Sequence, residues 1–100
     1  MSSELLKALG LDAINAGTYL GNGEWSTGTT GELFTPVNPT TGEAIAQVRA
    51  TTPDEYETVI TRAQEAFKVW RTTPAPRRGE AVRLCGEALR ANKDALGSLV

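Results

Sequence analysis

A chain of 100 residues, 40% hydrophobic and 22% charged, has the composition of an ordinary soluble protein and room for one domain at most. Its net charge of −2, with acids and bases interspersed, excludes the basic footprint of a nucleic-acid binder or an anionic-membrane binder. It has no histidine and a single cysteine, Cys85, which excludes a Ser–His–Asp or Cys–His pair and an internal disulfide, and leaves no plausible ligand set for zinc.

In chain order, "SSELLKALGL" predicts a short leading helix. Ser2 or Ser3 can cap it, Leu5, Leu6 and Leu9 share one side, and Gly10 supplies a left-handed stop. Three leucines in two turns are too few to hold it alone, so it must dock or fray. Residues 1–16 are read as this helix and a linker. In "TYLGNGEWS", Asn22-Gly23 suits a type I′ turn, and Thr18, Tyr19 and Trp25 suit flanking strands. "LFTPVNPTTGEAIAQVRA" predicts strand, turn, strand, with Pro36 at an edge and Asn38-Pro39 and Gly42 marking the turn. Residues 17–51 therefore form a β-hairpin region.

Residues 52–100 carry two amphipathic helices. Thr52 is the expected N-cap of the first, Pro53 opens it, and Glu55 completes a capping box. Tyr56, Val59, Ile60, Ala63, Phe67 and Trp70 recur at three- and four-residue steps and form one apolar stripe that requires a partner surface. "TTPAP" breaks the helix. The second starts near Pro76, with Val82, Cys85, Gly86 and Leu89 on one side, and Arg77, Arg83, Glu87 and Arg90 in water. Asn92 is a candidate cap for a restart. The sequence then stops on Leu99-Val100 with no capping glycine or polar tail, so a longer protein is expected to continue from it.

The candidate sites resolve to bland readings. Cys85 sits mid-helix among apolar neighbours, too far from the helix start for its dipole to favour a thiolate, and is read as packing. "GNGEWSTGTTG" lacks the phosphate-loop pattern and leads into no helix, so turn chemistry accounts for it. Arg77 and Arg78 in "APRRGE" oppose the helix dipole. A solvated pair or a salt bridge is favoured over an anion site. Trp25 and Trp70 are read as core or interface anchors.

Four motifs in this order resemble the opening of the NAD(P)-dependent aldehyde dehydrogenase superfamily. They are Gly23-Glu24-Trp25, then Asn38-Pro39-Thr40-Thr41-Gly42-Glu43-Ala44-Ile45, then Ala63-Gln64-Glu65-Ala66-Phe67-Lys68-Val69-Trp70, and an "R-x-x-x-L" helix. "PAPRRGEAVR", "GEALR", "LGSLV" and "ELLKALGL" are most similar to the antiquitin group, the α-aminoadipic semialdehyde (piperideine-6-carboxylate) dehydrogenases.

The resemblance implies an α/β fold, with short antiparallel hairpins and then two helices flanking a Rossmann-like cofactor domain that these residues leave incomplete. It implies oxidation of an aldehyde to a carboxylate, in which a cysteine thiolate forms a thiohemiacetal and then a thioester. Hydride passes to NAD or NADP, and a glutamate activates water. The family's nucleophile, base, oxyanion and dinucleotide residues fall beyond Val100, so no catalytic, cofactor-binding or metal residue is expected here. Also implied are a small aldehyde substrate, a homotetramer, docking on the rest of the parent chain, and no nucleic-acid or membrane partner. No apolar run is long enough to span a membrane, and a cytoplasmic location is expected. The alternative is a free-standing, non-catalytic α+β interaction module whose Trp70 stripe takes a partner helix.

Overall fold

The computed structural model describes residues 3–100. Helix α1 (Ser3–Ala8) opens the fold, and the expected cap at Ser2 lies outside the described residues. Its end is a Schellman motif. Gly10 takes φ 70°, its N–H donates to Lys7 O at 3.0 Å, and Leu11 N–H donates to Leu6 O at 2.8 Å. Helix α1 docks against α4 (Lys93–Leu99), the last helix of the chain. Leu5, Leu6, Leu9, Ala95, Leu96 and Leu99 are half-buried there.

Strand β1 (Ile14–Ala16) runs through what was expected to be linker. It pairs in parallel with β5 (Gln47–Arg49), matching Ile14 to Gln47 and Ala16 to Arg49. Three residues are too short a run for their alternation, Ile14-Asn15-Ala16, to signal a strand, and a parallel partner 33 residues downstream leaves no local trace. Asn15 anchors the join, donating from Nδ2 to Gln47 O at 3.2 Å and to Asp12 O at 2.7 Å.

Strands β2 (Tyr19–Gly21) and β3 (Glu24–Trp25) form the expected hairpin. Asn22 at φ 52° and Gly23 at φ 80° supply the two positive dihedrals of a type I′ turn. Strand β4 (Leu33–Phe34) lies antiparallel to β5 on the side opposite β1, giving the order β1-β5-β4. Pro36 sits on the edge path as expected. It lacks a donor, but its carbonyl accepts from Ile45 N–H at 2.9 Å. The Asn38 carboxamide oxygen closes the following turn by accepting from Thr40 N–H at 2.9 Å.

Helix α2 (Pro53–Trp70) starts on the predicted capping box. Thr52 Oγ1 accepts from Glu55 N–H, and Glu55 Oε1 accepts from Thr52 N–H at 2.9 Å. Thr72 and Thr73 hydroxyls both donate to Val69 O at its end, and Pro74 prevents continuation. Helix α3 (Ala75–Ala91) follows with Pro76 in its first turn. Asn92 does not cap α4 with its side chain. Its Nδ2 donates back to Ala88 O at 2.9 Å and so closes α3 instead.

The elements do not enclose a core. Among the described residues no apolar side chain is buried, and Thr18, 5% exposed, is the one buried residue. The surface is 7,721 Å², whereas a compact chain of 10.7 kDa would expose about 5,500 Å². The radius of gyration is 16.5 Å, against about 13 Å for a compact domain of this length. The chain is flattened, 48 × 33 × 19 Å, with apolar faces open to solvent.

Candidate functional site

The most developed surface is the apolar side of α2, shaped by the hairpin beside it. The β2–β3 hairpin lies against one flank of the helix. Arg62 Nη1 donates to Leu20 O and to Glu24 Oε2, both at 3.1 Å, and Val59 beneath is half-buried. The centre of the stripe is left bare. Tyr56, Ile60 and Phe67 are all exposed, as is Trp70 at the far end. Ala63, Ala66, Phe67, Val69 and Trp70 frame a shallow, wholly apolar hollow of about 540 Å³. Arg71 stacks its guanidinium 5.8 Å from the Phe67 ring centroid at the rim.

Helix α3 is uncovered too. Val82, Cys85 and Leu89 are exposed along one side and Leu84 on the other. The reading of Cys85 as packing is corrected to this extent: its side chain is exposed among the described residues. The two tryptophans are corrected likewise. Trp25, 60% exposed, touches Tyr19 edge-on at 5.0 Å, and Trp70 is 48% exposed, so neither is a core residue of these 100.

The helix starts are unsuited to an anionic ligand. The α2 start is occupied by its own Thr52 and Glu55 side chains, Asp54 adds negative charge, and Pro53 brings no N–H. The α3 start has no side-chain cap and holds two prolines, Pro74 and Pro76, which remove the donors a phosphate would need. Arg77 and Arg78 are exposed there, and neither makes an ion pair among the described residues. Arg83 and Arg90 instead bind Glu80 at 2.6 Å and Glu87 at 2.8 Å. Arg83 holds the Glu80 carboxyl below the usual glutamate value, and Glu80 raises Arg83 in turn. The residues present therefore do not fit a dinucleotide. No cluster of three or more His, Cys, Asp or Glu side chains able to share a metal occurs among the described residues.

The "GNGEWSTGTTG" stretch behaves as turn and clasp. Gly23 N–H donates to the Tyr19 hydroxyl at 2.7 Å, and the carbonyls of Thr29 and Gly31 accept from Arg49 at 2.7 and 3.0 Å. Such carbonyls repel an anion. Sequence reasoning missed the polar seam behind this loop. Ser26 Oγ–H donates to Glu55 Oε2, and the Thr18 and Thr51 hydroxyls meet at 2.8 Å. Ser26, then the Thr52 backbone N–H, hold the Glu55 carboxyl below its ordinary value. No pattern in sequence pairs residues 29 and 33 positions apart, so this seam had no signal to find.

The comparisons agree with the four motifs. The model of the aldehyde dehydrogenase family matches residues 25–100. Aldehyde dehydrogenase family 7 member A1 of Pisum sativum is 48% identical over 95 residues, 95% of this chain and 18% of the relative. Alpha-aminoadipic semialdehyde dehydrogenase of Bos taurus is 46% identical over 95 residues, and a putative family 7 member A1 homolog of Dictyostelium discoideum is 44% identical over the same length. These matches take in 95% of this chain but 17 to 18% of the relatives' own length. A mixed α/β segment whose ordered motifs and matched length coincide in this way belongs to the aldehyde dehydrogenase family.

Proposed function

We propose that this chain is the opening, structural segment of an enzyme that oxidises a semialdehyde to its carboxylate, with NAD or NADP as hydride acceptor. The supporting observation is that apolar side chains of both long helices are uncovered, in a chain whose total surface exceeds that of a compact chain of this mass by about 2,200 Å². Exposed apolar side chains on amphipathic helices are made to rest on further polypeptide, and the relatives are roughly five to six times longer than the matched region. The substrate class follows the names of the relatives. The chain's own work is to seal part of the cofactor-binding domain against water. It contributes no nucleophile, base or phosphate-binding group, and the dinucleotide would be held by other residues. A free-standing interaction module is disfavoured, because no buried apolar residue holds the described elements together. The same reading includes a homotetramer acting in the cytoplasm.

The test is to assay the longest native polypeptide carrying this chain with α-aminoadipic semialdehyde and each dinucleotide, following nicotinamide reduction by absorbance. Turnover is expected from that polypeptide and none from residues 1–100 alone. Absence of aldehyde oxidation with both dinucleotides across a panel of semialdehydes refutes the proposal.

A further inference from the structure

A part-buried polar seam joins three segments that sequence separates. Thr18, at the foot of the β2–β3 hairpin, meets Thr51 just before α2 at 2.8 Å. Ser26, at the other foot, donates its hydroxyl hydrogen to Glu55 Oε2, and Ser26 N–H donates to Thr18 O at 2.9 Å. Gly28 N–H closes on Ser26 Oγ at 3.1 Å. Glu55 is thus used from both sides. Its Oε1 accepts from the Thr52 N–H and its Oε2 from the hairpin, while its own N–H is held by Thr52 Oγ1.

We infer that Glu55 is a shared latch, which makes seating of the β2–β3 hairpin and closure of the first turn of α2 a single conformational event. A single placement of the carboxylate serves both tasks. When Ser26 leaves, the carboxylate is free to rotate, and the Oε1 contact to Thr52 loses its orientation. When the helix start frays, Oε2 moves away from Ser26. Each interaction therefore stabilises the other, and the coupling is reciprocal by linkage. At this end the hairpin is held by polar contacts, Ser26 to Glu55 and Thr18 to Thr51; no apolar side chain is buried beneath it, and a further attachment, through Arg62, lies near the turn. The inference concerns the fold of these residues and stands whatever the enzyme's substrate.

The test is residue-resolved hydrogen exchange on the longest native polypeptide carrying this chain, in Ser26→Ala and Thr52→Ala. Ser26→Ala alters only the hairpin side of the latch, and Thr52→Ala removes the capping hydroxyl, with its neighbouring methyl, at the helix start. Each variant is expected to speed exchange at least fivefold at both the Ser26 amide and the Glu55 and Tyr56 amides. The Gln47 amide, bonded to Ala13 O in the other sheet, is expected to stay within twofold. Acceleration confined to the mutated side in either variant overturns the latch. So does equal acceleration at Gln47, which means global opening. Having two variants keeps the test decisive if one of them fails to fold.

Discussion

Phe67→Ala tests the covered-face reading most sharply. Phe67 is 50% exposed in these 100 residues, at the centre of the bare stripe on α2. An aromatic side chain offers roughly 150–250 Å² for burial, so about 100 Å² of this one is still open. At about 25 cal/mol per Å², covering it contributes about 2.5 kcal/mol that the segment alone cannot realise. A fully packed phenylalanine lost to alanine costs about 3–5 kcal/mol once the cavity is included. In the longer polypeptide the substitution is therefore expected to lower stability by about 3–5 kcal/mol. The assay is urea unfolding, read as a shift in midpoint at constant m-value. Gln64→Ala, on the same helix away from the stripe, serves as control and should stay within about 0.5 kcal/mol. A Phe67→Ala loss below about 1 kcal/mol, far short of the cost of a packed phenylalanine, means that the face stays in water and refutes the reasoning.

Further outcomes are expected at other positions. Cys85→Ala should leave turnover of the complete enzyme largely intact, and a loss of turnover with an unchanged thermal transition would contradict a non-catalytic role. Gly31→Ala should destabilise by about 1–3 kcal/mol, because its new Cβ would lie 2.1 Å from Ala50 O and backbone must move; a thermal shift within error counts against that close approach. Ser26→Ala should weaken the fold at neutral pH and lose that effect in acid. The Glu55 carboxyl is held below 4.5 by Ser26 and the Thr52 N–H, so its stabilisation is complete above the unfolded value and vanishes as pH falls through the folded one. The gap between the denaturant midpoints of the two proteins should narrow as pH falls below the ordinary glutamate range, and a gap that stays constant until the fold is lost to acid contradicts the charge-assisted bond.

What sequence carried was the local chemistry. Thr52, Pro53 and Glu55 encode the start of α2 within four residues, and Asn22-Gly23 encodes the hairpin turn, because capping and positive φ are decided by neighbours. The stripe from Tyr56 to Trp70 is likewise periodic in one helix. Contacts across 29 to 33 residues were invisible. The β1–β5 pairing, the Thr18–Thr51 contact and the Ser26–Glu55 bond depend on where loops return, and no spacing rule reports that. The exposure of Cys85 was missed for a different reason. A residue on an apolar face predicts that something covers it, not that the cover lies within the same 100 residues.

The parallel pairing of β1 with β5 has a consequence for synthesis. Ile14 cannot meet Gln47 until nearly half of this chain has emerged from the ribosome, whereas the Asn22-Gly23 hairpin can close as soon as its second arm is out. The first strand thus waits as a nascent, unpaired edge through that interval. Slowing translation between residues 17 and 47 would lengthen the wait and widen the window for chaperone capture.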